Sequence, residues 1–539
     1  MRFPSAMLST PARPIASDFE TAPPVRVRSE RRARVAPSWL SSRYFTLVAL
    51  TLALPFICLA GRPLFGDIWW VLASGRVLVE QGQLPSADPF TFAPHTAMYF
   101  DVQWLSQLAY YWAEQLGGLE GVAVFNAAVA TLTFGLLLRL AWQRSRNMAA
   151  ATISVLCAEM TALWFIHPRA QTLAFAAFAA TACLLSCTRP RLRVIVSLGI
   201  IEILWANLHG SFFIGPVFTG LLLGGELIEQ AIAGRWRSAI RYPRVQFLLA
   251  AIGAQMLGTL VTPYGPGIYT YLLKFTVDPI IRDHIAEWLP TTASDWPGAE
   301  FFVSVALTLA ALGLARTRLR AADMLILGLF AVLGVQAYRN IPWWGLASSP
   351  ILAMALARLS LPPRLAQLGQ ALVTSKRQVR GNVMRAVLLT VVLIAALPWA
   401  RAINPWLPAG QRSMIPAEYP EAATNFLASH DVGSHILGEH PWGAYIDWWL
   451  WPHYQPMIDP AIEVHPAQVW LDVLTIQQGH VTWEELVDRY GADVLMLRRE
   501  TQEPLIEAVD RSPHWHSVYQ DEQTVVYARS SAASVETPS

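Results

Sequence analysis

Residues 118–141 read GLEGVAVFNAAVATLTFGLLLRLA, and residues 142–146 that follow read WQRSR. The apolar run is long enough to cross a bilayer, which takes roughly 20 residues at about 1.5 Å each. Its basic end, with Arg139, Arg144 and Arg146, has the character of a cytoplasmic loop, where Lys and Arg accumulate. Runs of the same kind recur at 44–61, 148–166, 170–187, 193–208, 211–232, 244–262, 300–315, 322–338, 341–358 and 384–401. Together they predict an α-helical polytopic membrane protein with about eleven transmembrane helices.

The loops carry an orientation. Basic clusters fall in alternate loops: Arg189, Arg191 and Arg193; Arg235, Arg237, Arg241 and Arg244; Arg316, Arg318 and Arg320; Arg364, Lys376, Arg377 and Arg380. The opposite loops are poor in Lys and Arg. Residues 1–43, rich in Arg and Pro, lie on the basic side and read as a disordered cytoplasmic tail, too long for the n-region of a signal peptide. The N-terminus is then cytoplasmic, and an odd number of helices places the C-terminus outside. A bacterial cytoplasmic (inner) membrane is the expected location.

Composition agrees. Of 539 residues, 54% are hydrophobic and 14% charged, with mean hydropathy +0.36. Soluble domains carry about 25% charged residues. The net charge of +2 comes from short basic loops, a membrane pattern that implies lipid partners and no nucleic acid. Cys58, Cys157, Cys183 and Cys187 lie inside the expected spans. They show neither zinc spacing nor a disulfide framework, and read as small packing residues.

Three outer segments are long. The first, 62–117, holds two aromatic stretches that read as helices lying in the outer interface. The second is 263–299. The third, 402–530, has the size of a small domain. Its pattern predicts helices at 418–429, 482–490 and 502–511, and strands at 434–438, 455–459, 492–498, 515–520 and 523–529. The last two strands form a hairpin around Asp521-Glu522. This is a small α/β extracytoplasmic domain attached to the transmembrane unit 44–401, and residues 531–539 read as a disordered tail.

Polar residues that packing does not explain sit at outer helix ends. Asp67 follows the first helix. His167 and Arg169 join the third and fourth, Asn207 and His209 the fifth and sixth. Tyr264 follows the seventh, with Arg282 and Glu287 beyond it, and Arg339 and Asn340 join the ninth and tenth. Each has an ordinary reading as turn chemistry or a snorkelling side chain. Their shared depth points to one outward-facing cavity. Glu159 and Glu202 lie inside spans, where a charge costs about 2.5–3.5 kcal/mol and often marks a pathway. Asp88 and Asp101 are further acids of the first outer loop.

This layout suits transfer of a sugar from a lipid-linked phosphate to an acceptor outside. The lipid stays in the bilayer while its phosphate reaches the outer interface. Asp67 would be the general base. His167, Arg169, Arg282 and Arg339 would meet the leaving phosphate. No dense carboxylate cluster demands a metal, and a divalent cation stays open.

The chain resembles the type C glycosyltransferases (GT-C), multi-spanning enzymes that use polyprenyl-phosphate sugars. More closely, it is similar to a group of bacterial membrane proteins of that type. The resemblance runs from about residue 44 to 529. It is carried by the order of GDIWWVLASG, LPSADPFTF, QWLSQL, HPRAQTLAF, LWANLHGSFFIG, VTPYG, IAEWLP, YRNIPWW, HPWGAYIDWWLWP and MID. It implies a polyprenyl-phosphate sugar donor, a glycan, lipid or protein acceptor, and Asp67 as the first-loop acid. The chain departs from the pattern at Val71, Gln103 and Asp459-Pro460-Ala461, where relatives have His, an acid and Asp-Gly-Arg. Two other readings stand beside the enzyme: a transporter or flippase of envelope glycans, with Glu159 and Glu202 as coupling groups, and a non-catalytic envelope assembly protein.

Overall fold

The computed structural model describes residues 42, 44–96, 99–187, 191–277, 282, 285–359, 378–408 and 412–530. The expected tails 1–43 and 531–539, and the basic residues Arg189, Arg364, Lys376 and Arg377, fall almost wholly outside them.

Each of the eleven apolar runs is a helix. They are α1 (Phe45–Ala60), α3 (Trp104–Ser145), α4 (Met148–Leu163), α5 (Ala170–Leu185), α6 (Leu192–Leu208), α7 (Ile214–Ile232), α8 (Pro243–Thr259), α10 (Trp296–Leu314), α11 (Ala321–Gln336), α12 (Ile341–Leu356) and α13 (Gln378–Ala395). By length and composition three are clear membrane spans: α3, α10 and the helical stretch Gly210–Ile232 that contains α7. Small residues let the helices approach closely, as in other membrane bundles. A Cβ at Gly345 of α12 would lie 2.5 Å from Thr161 Oγ1 of α4. One at Gly225 of α7 would lie 2.3 Å from the Ala322 backbone of α11.

Helix α3 is two helices meeting at a kink. Gly118 stands at φ 66°, ψ −162°, a conformation that only glycine takes readily. The kink separates an arm, 104–117, from the apolar run. Helix α2 (Ile68–Gln81) was expected to lie in the membrane interface. Instead ten of its residues, Ile68 to Leu78 without Arg76, are buried beneath the C-terminal segment. A helix apolar on all sides is a buried helix, and that explains the difference.

The C-terminal part forms a five-stranded sheet of order β2-β1-β3-β5-β4, from β1 (His435–Gly438), β2 (Gln455–Pro456), β3 (Val494–Arg498), β4 (Trp515–Gln520) and β5 (Thr524–Arg529). Strand β1 pairs parallel with β2 and β3, and β5 antiparallel with β3 and β4. Asp521 Oδ1 accepts from the amides of Gln523 (2.8 Å) and Thr524 (2.7 Å), closing the expected hairpin. The helices α15 (Glu421–Ser429), α18 (Trp483–Tyr490) and α19 (Glu503–Asp510) lie where the pattern predicts them. Helices α9 (Gly267–Val277), α16 (His440–Trp449) and α17 (Ala467–Gln477) were not anticipated, nor was the short α14 (Pro398–Ala402).

One face of the sheet, with Leu437, Leu495 and Leu497, has a core of its own, and the other, with Ile436, Val494 and Met496, shares one with α2. Trp69 of α2 meets Tyr445 and Tyr419 edge-on, with ring centroids at 5.1 and 5.6 Å. Arg76 donates to the carbonyls of Asp447 (2.9 Å) and Trp448 (3.0 Å) at the end of α16, and lies 4.8 Å from the Trp448 ring. A cation at a helix C-terminus is favourable both as hydrogen-bond donor and as charge.

Candidate active site

The site forms where four helix ends meet. Leu64 N–H donates to the Met414 carbonyl (2.8 Å), and Gly66 N–H to the Tyr419 hydroxyl (2.8 Å), so the turn before α2 is clamped by the C-terminal segment. Asp67 sits in that turn, at the N-cap position of α2. Its side chain makes no cap hydrogen bond. Asp67 is an exposed residue in a turn that protein packs around. Loss of water around the carboxyl pushes it above the ordinary carboxylate range, and Arg169 and Arg339 oppose the rise.

Arg169 is the N-cap residue of α5, and its carbonyl accepts from Tyr110 (3.1 Å). Its Nη1 pairs with Glu287 Oε1 at 2.6 Å. Its Nε and Nη2 are buried and have no hydrogen-bond partner. Burial works against the charge of this guanidinium, but Glu287 and Asp67 outweigh it and hold it charged. For Glu287, burial is outweighed by Arg169 and Arg339, and its carboxyl stays below the usual range. Arg339 lies with its guanidinium carbon 4.3 Å above the Trp288 ring. The short turns Ala286–Trp288 and Tyr338–Asn340 thus hold Glu287 and Arg339 side by side.

Two histidines border the cations. Burial, then Arg169 and Arg62, push His167 down to about 3, and burial, then Arg339 and Arg169, do the same for His209. Both are neutral near pH 7, so each can offer an N–H donor but not a positive charge. His167 lies 4.3 Å from the Phe65 ring, and its Nδ1 is buried without a partner. His209 Nδ1 accepts from the Ser211 amide (3.0 Å), which puts the ring proton on Nε2.

The other expected residues have structural partners. Asn207 accepts from Trp104 Nε1 (2.8 Å) and donates to the carbonyls of Ile203 (2.8 Å) and Val261 (2.9 Å). Asn340 donates to the Leu333 carbonyl (3.0 Å), and the Tyr264 hydroxyl accepts from the Asp101 amide (2.7 Å). Arg282 is exposed. Asp101 accepts from Gln107 (2.8 Å), and burial raises it to about 7. Asp88 lies under the sheet with Thr91 and His95. Glu202 binds Gln255 (3.3 Å) within the bundle, and Glu159 is buried in α4. The C-terminal aromatics Trp442 and Trp448 are buried, and Trp449 packs towards Trp69 at 6.5 Å. Sequence reasoning missed Trp288, Tyr110 and Tyr419, because an aromatic beside a charged residue has no periodic signal.

Among the described residues no three His, Cys, Asp or Glu side chains are placed to hold a metal ion. Among the described residues, the charges that act on Asp67 are those of Arg169, Glu287 and Arg339.

No family model matches the sequence, and no curated protein matches it. Solved structures do. The oligosaccharyltransferase of Archaeoglobus fulgidus, tethered with an acceptor peptide containing the NVT sequon, aligns with TM-score 0.54 and 14% identity over 92% of this chain and 75% of its own. The same organism's oligosaccharyltransferase AglB, in complex with an inhibitory peptide and a dolichol-phosphate, gives TM-score 0.52 and 13% identity over 91% and 74%. ArnT from Cupriavidus metallidurans, bound to undecaprenyl phosphate, gives TM-score 0.51 and 15% identity over 92% and 99%. The chain shares the fold of these oligosaccharyltransferase and ArnT structures.

Proposed function

We propose that this protein is a glycosyltransferase of the bacterial inner membrane that moves a sugar from a polyprenyl-phosphate donor to an acceptor on the outer face. The observation that carries the proposal is the unused edge of Arg169. A guanidinium presents Nε–H and Nη–H as a parallel fork that matches two oxygens of a phosphate. In Arg169 that edge is buried, unpartnered and within electrostatic reach of Asp67. Arg339 supplies the second cation. A lipid phosphate held there keeps its tail in the bilayer and its sugar at Asp67.

In the reaction, Asp67 takes the proton of the acceptor hydroxyl as that oxygen attacks the anomeric carbon. The bond from that carbon to the phosphate oxygen breaks, and its electron pair leaves on the phosphate. Arg169 and Arg339 stabilise the developing charge. Attack from the side opposite the phosphate inverts the sugar. No step is routed through a metal. The topology belongs to the same proposal: eleven crossings, the N-terminus cytoplasmic, and residues 402–530 outside as a domain over the site. A glycan, lipid or protein acceptor would enter from that side. The test is transfer by full-length protein in detergent, offered a panel of polyprenyl-phosphate sugars, with native mass spectrometry of undecaprenyl phosphate binding. Binding without turnover across a broad donor and acceptor panel would favour the non-catalytic reading, and no binding at all would overturn the proposal.

A further inference from the structure

Residues 61–66 join α1 to α2, and the chain after α13 holds them at three points. Arg401 Nη1 donates to the Gly61 carbonyl, the Met414 carbonyl accepts from Leu64 N–H (2.8 Å), and the Tyr419 hydroxyl accepts from Gly66 N–H (2.8 Å). The third contact is the one nearest Asp67 in the chain. Gly66 stands at φ 75°, where an L side chain is strained, although a Cβ there would meet nothing within 4 Å. The path of the backbone, and not crowding, is what asks for glycine here. Asp67 makes no capping bond that would fix its own side chain. Its aim therefore depends on the backbone of this turn.

Packing keeps Tyr419 in place. It is 5% exposed, and its ring lies 5.6 Å from that of Trp69 and 4.9 Å from that of Tyr445, both buried. Trp69 belongs to α2, which begins just after Asp67. The ring of Tyr419 thus meets the helix while its hydroxyl holds the turn before it. Phenylalanine at this position would keep the first contact and lose the second. The cations of the site are held by other groups, Arg169 by Glu287 and Arg339 by the Trp288 ring. Loss of the Tyr419 hydroxyl should therefore bear on Asp67 and leave them in place.

We propose that Tyr419 is a positioning residue for Asp67: its hydroxyl fixes the turn that aims the carboxyl, which makes the C-terminal segment part of the catalytic unit. The inference rests on Asp67 being the base of the transfer. A base must come within hydrogen-bond reach of the proton it takes, and a misplacement of about 1 Å can cost on the order of 10²-fold in rate. The charges that act on Asp67 are those of Arg169 from α5 and of Glu287 and Arg339 from the two short turns. Burial raises Tyr419 to about 12, so it stays a neutral hydroxyl beside them. Loss of water around Asp67 outweighs the two cations and raises it. A loosened turn readmits water, so the Asp67 value should fall back towards that of an ordinary carboxylate.

Carbodiimide labelling of Asp67 in full-length protein in detergent, followed by mass spectrometry across pH, reads this without any donor. The reagent takes the protonated carboxyl, so labelling falls as pH rises through the Asp67 value. In Tyr419→Phe the midpoint should move down by about 0.5 pH unit or more. Its kcat should fall by roughly 5–100-fold, with undecaprenyl phosphate binding within about twofold of the parent. Gly66→Ala, strained at its φ, should shift the profile the same way and serves if Tyr419→Phe does not fold. Tyr445→Phe removes a hydroxyl from the neighbouring ring and should leave both readings at the parent's. A Tyr419→Phe profile like the parent's overturns the positioning role, whether or not the protein transfers sugar. So does a Tyr445→Phe variant that moves the profile as far, because the effect would then be general loosening. A profile that moves while kcat stays would mean that this aim does not matter to the reaction, and would overturn it too. A parent that transfers no sugar from any donor would end the transfer reading itself, and with it the base that Tyr419 is proposed to aim.

Discussion

Arg169 and Glu287, 118 residues apart in sequence, meet at 2.6 Å, and the pairing uses one nitrogen of a guanidinium whose other two lie buried and unpartnered. Glu287 keeps Arg169 charged and aimed while leaving its fork open. Arg169→Gln should therefore act on ligand binding more than on stability. Glu287 is 39% exposed and can be rehydrated, so unfolding stability should fall by roughly 1–2 kcal/mol, below the cost of stranding a fully buried charge. Undecaprenyl phosphate binding should drop at least about tenfold. Arg169→Lys keeps the charge without the fork and should recover only part of it. Thermal unfolding and native mass spectrometry on the same samples check both parts.

Trp288 holds Arg339 by its ring face at 4.3 Å. Such a contact is worth about 0.5–2 kcal/mol, more as water is excluded. Trp288→Leu should weaken phosphate binding by roughly 3–30-fold, and Arg339→Gln by more. A Trp288→Leu variant that binds as well as the parent would show that the ring merely packs.

Much of this was legible in the sequence, for physical reasons that also mark its limits. Apolar runs such as 118–141 must be helices in lipid, because their backbone groups have no other partners. The C-terminal strands were legible as short apolar runs between turn residues; β3 and β5 are buried on both faces and do not alternate. Helix α16 was not: Trp442, Tyr445 and Trp449 stand at helical spacing, but HPWGAYIDWW is only 10 residues long, too short a window for the period to decide. At the site, residue type and depth singled out Asp67, Arg169, Glu287 and Arg339, which the structure brings within electrostatic reach of one another. Asn207 and Asn340 have the same types of neighbours in sequence, yet serve backbone carbonyls. Sequence depth alone does not say which way a side chain is engaged.

The topology has its own test. Reporter fusions after Arg146, Arg193, Arg244 and Arg380 should report cytoplasm, and fusions after Gly117, Asp295 and Ser413 should report outside. A cytoplasmic Ser413 fusion would remove the C-terminal segment from the outer face. Because Tyr419 clamps the turn that carries Asp67, it would also place the whole site on the wrong side.

Arg76 is the link between α2 and α16 that one substitution can break. Arg76→Met keeps an apolar stem but removes two hydrogen bonds and a ring contact. Stability should fall by about 2–4 kcal/mol. Protease cleavage within 402–530 should appear before any cut in the membrane helices. Equal resistance in parent and variant would mean that the aromatic packing on Trp69 suffices without it.

Asp67 carries the sharpest prediction, because its position allows a plainer role that the geometry argues against. An aspartate at an N-cap usually holds the first turn of its helix, and losing the cap costs about 1 kcal/mol. Here the side chain makes no such bond. Asp67→Asn should leave thermal stability within about 0.5 kcal/mol of the parent and lower turnover by 10²–10⁴-fold, the range of a lost general base. The pH profile separates this from a binding defect. A base works when ionised, so kcat/KM should fall as pH drops through the Asp67 value, which burial places above the ordinary carboxylate range. Bound donor adds a negative phosphate beside the cations that now oppose that rise. The limb in kcat should therefore lie at higher pH than the limb in kcat/KM. Both limbs should vanish in Asp67→Asn. A variant that turns over at the parent's rate would end the base assignment, and Asp101, raised to about 7 by burial in the same outer loop, would be the next residue to test.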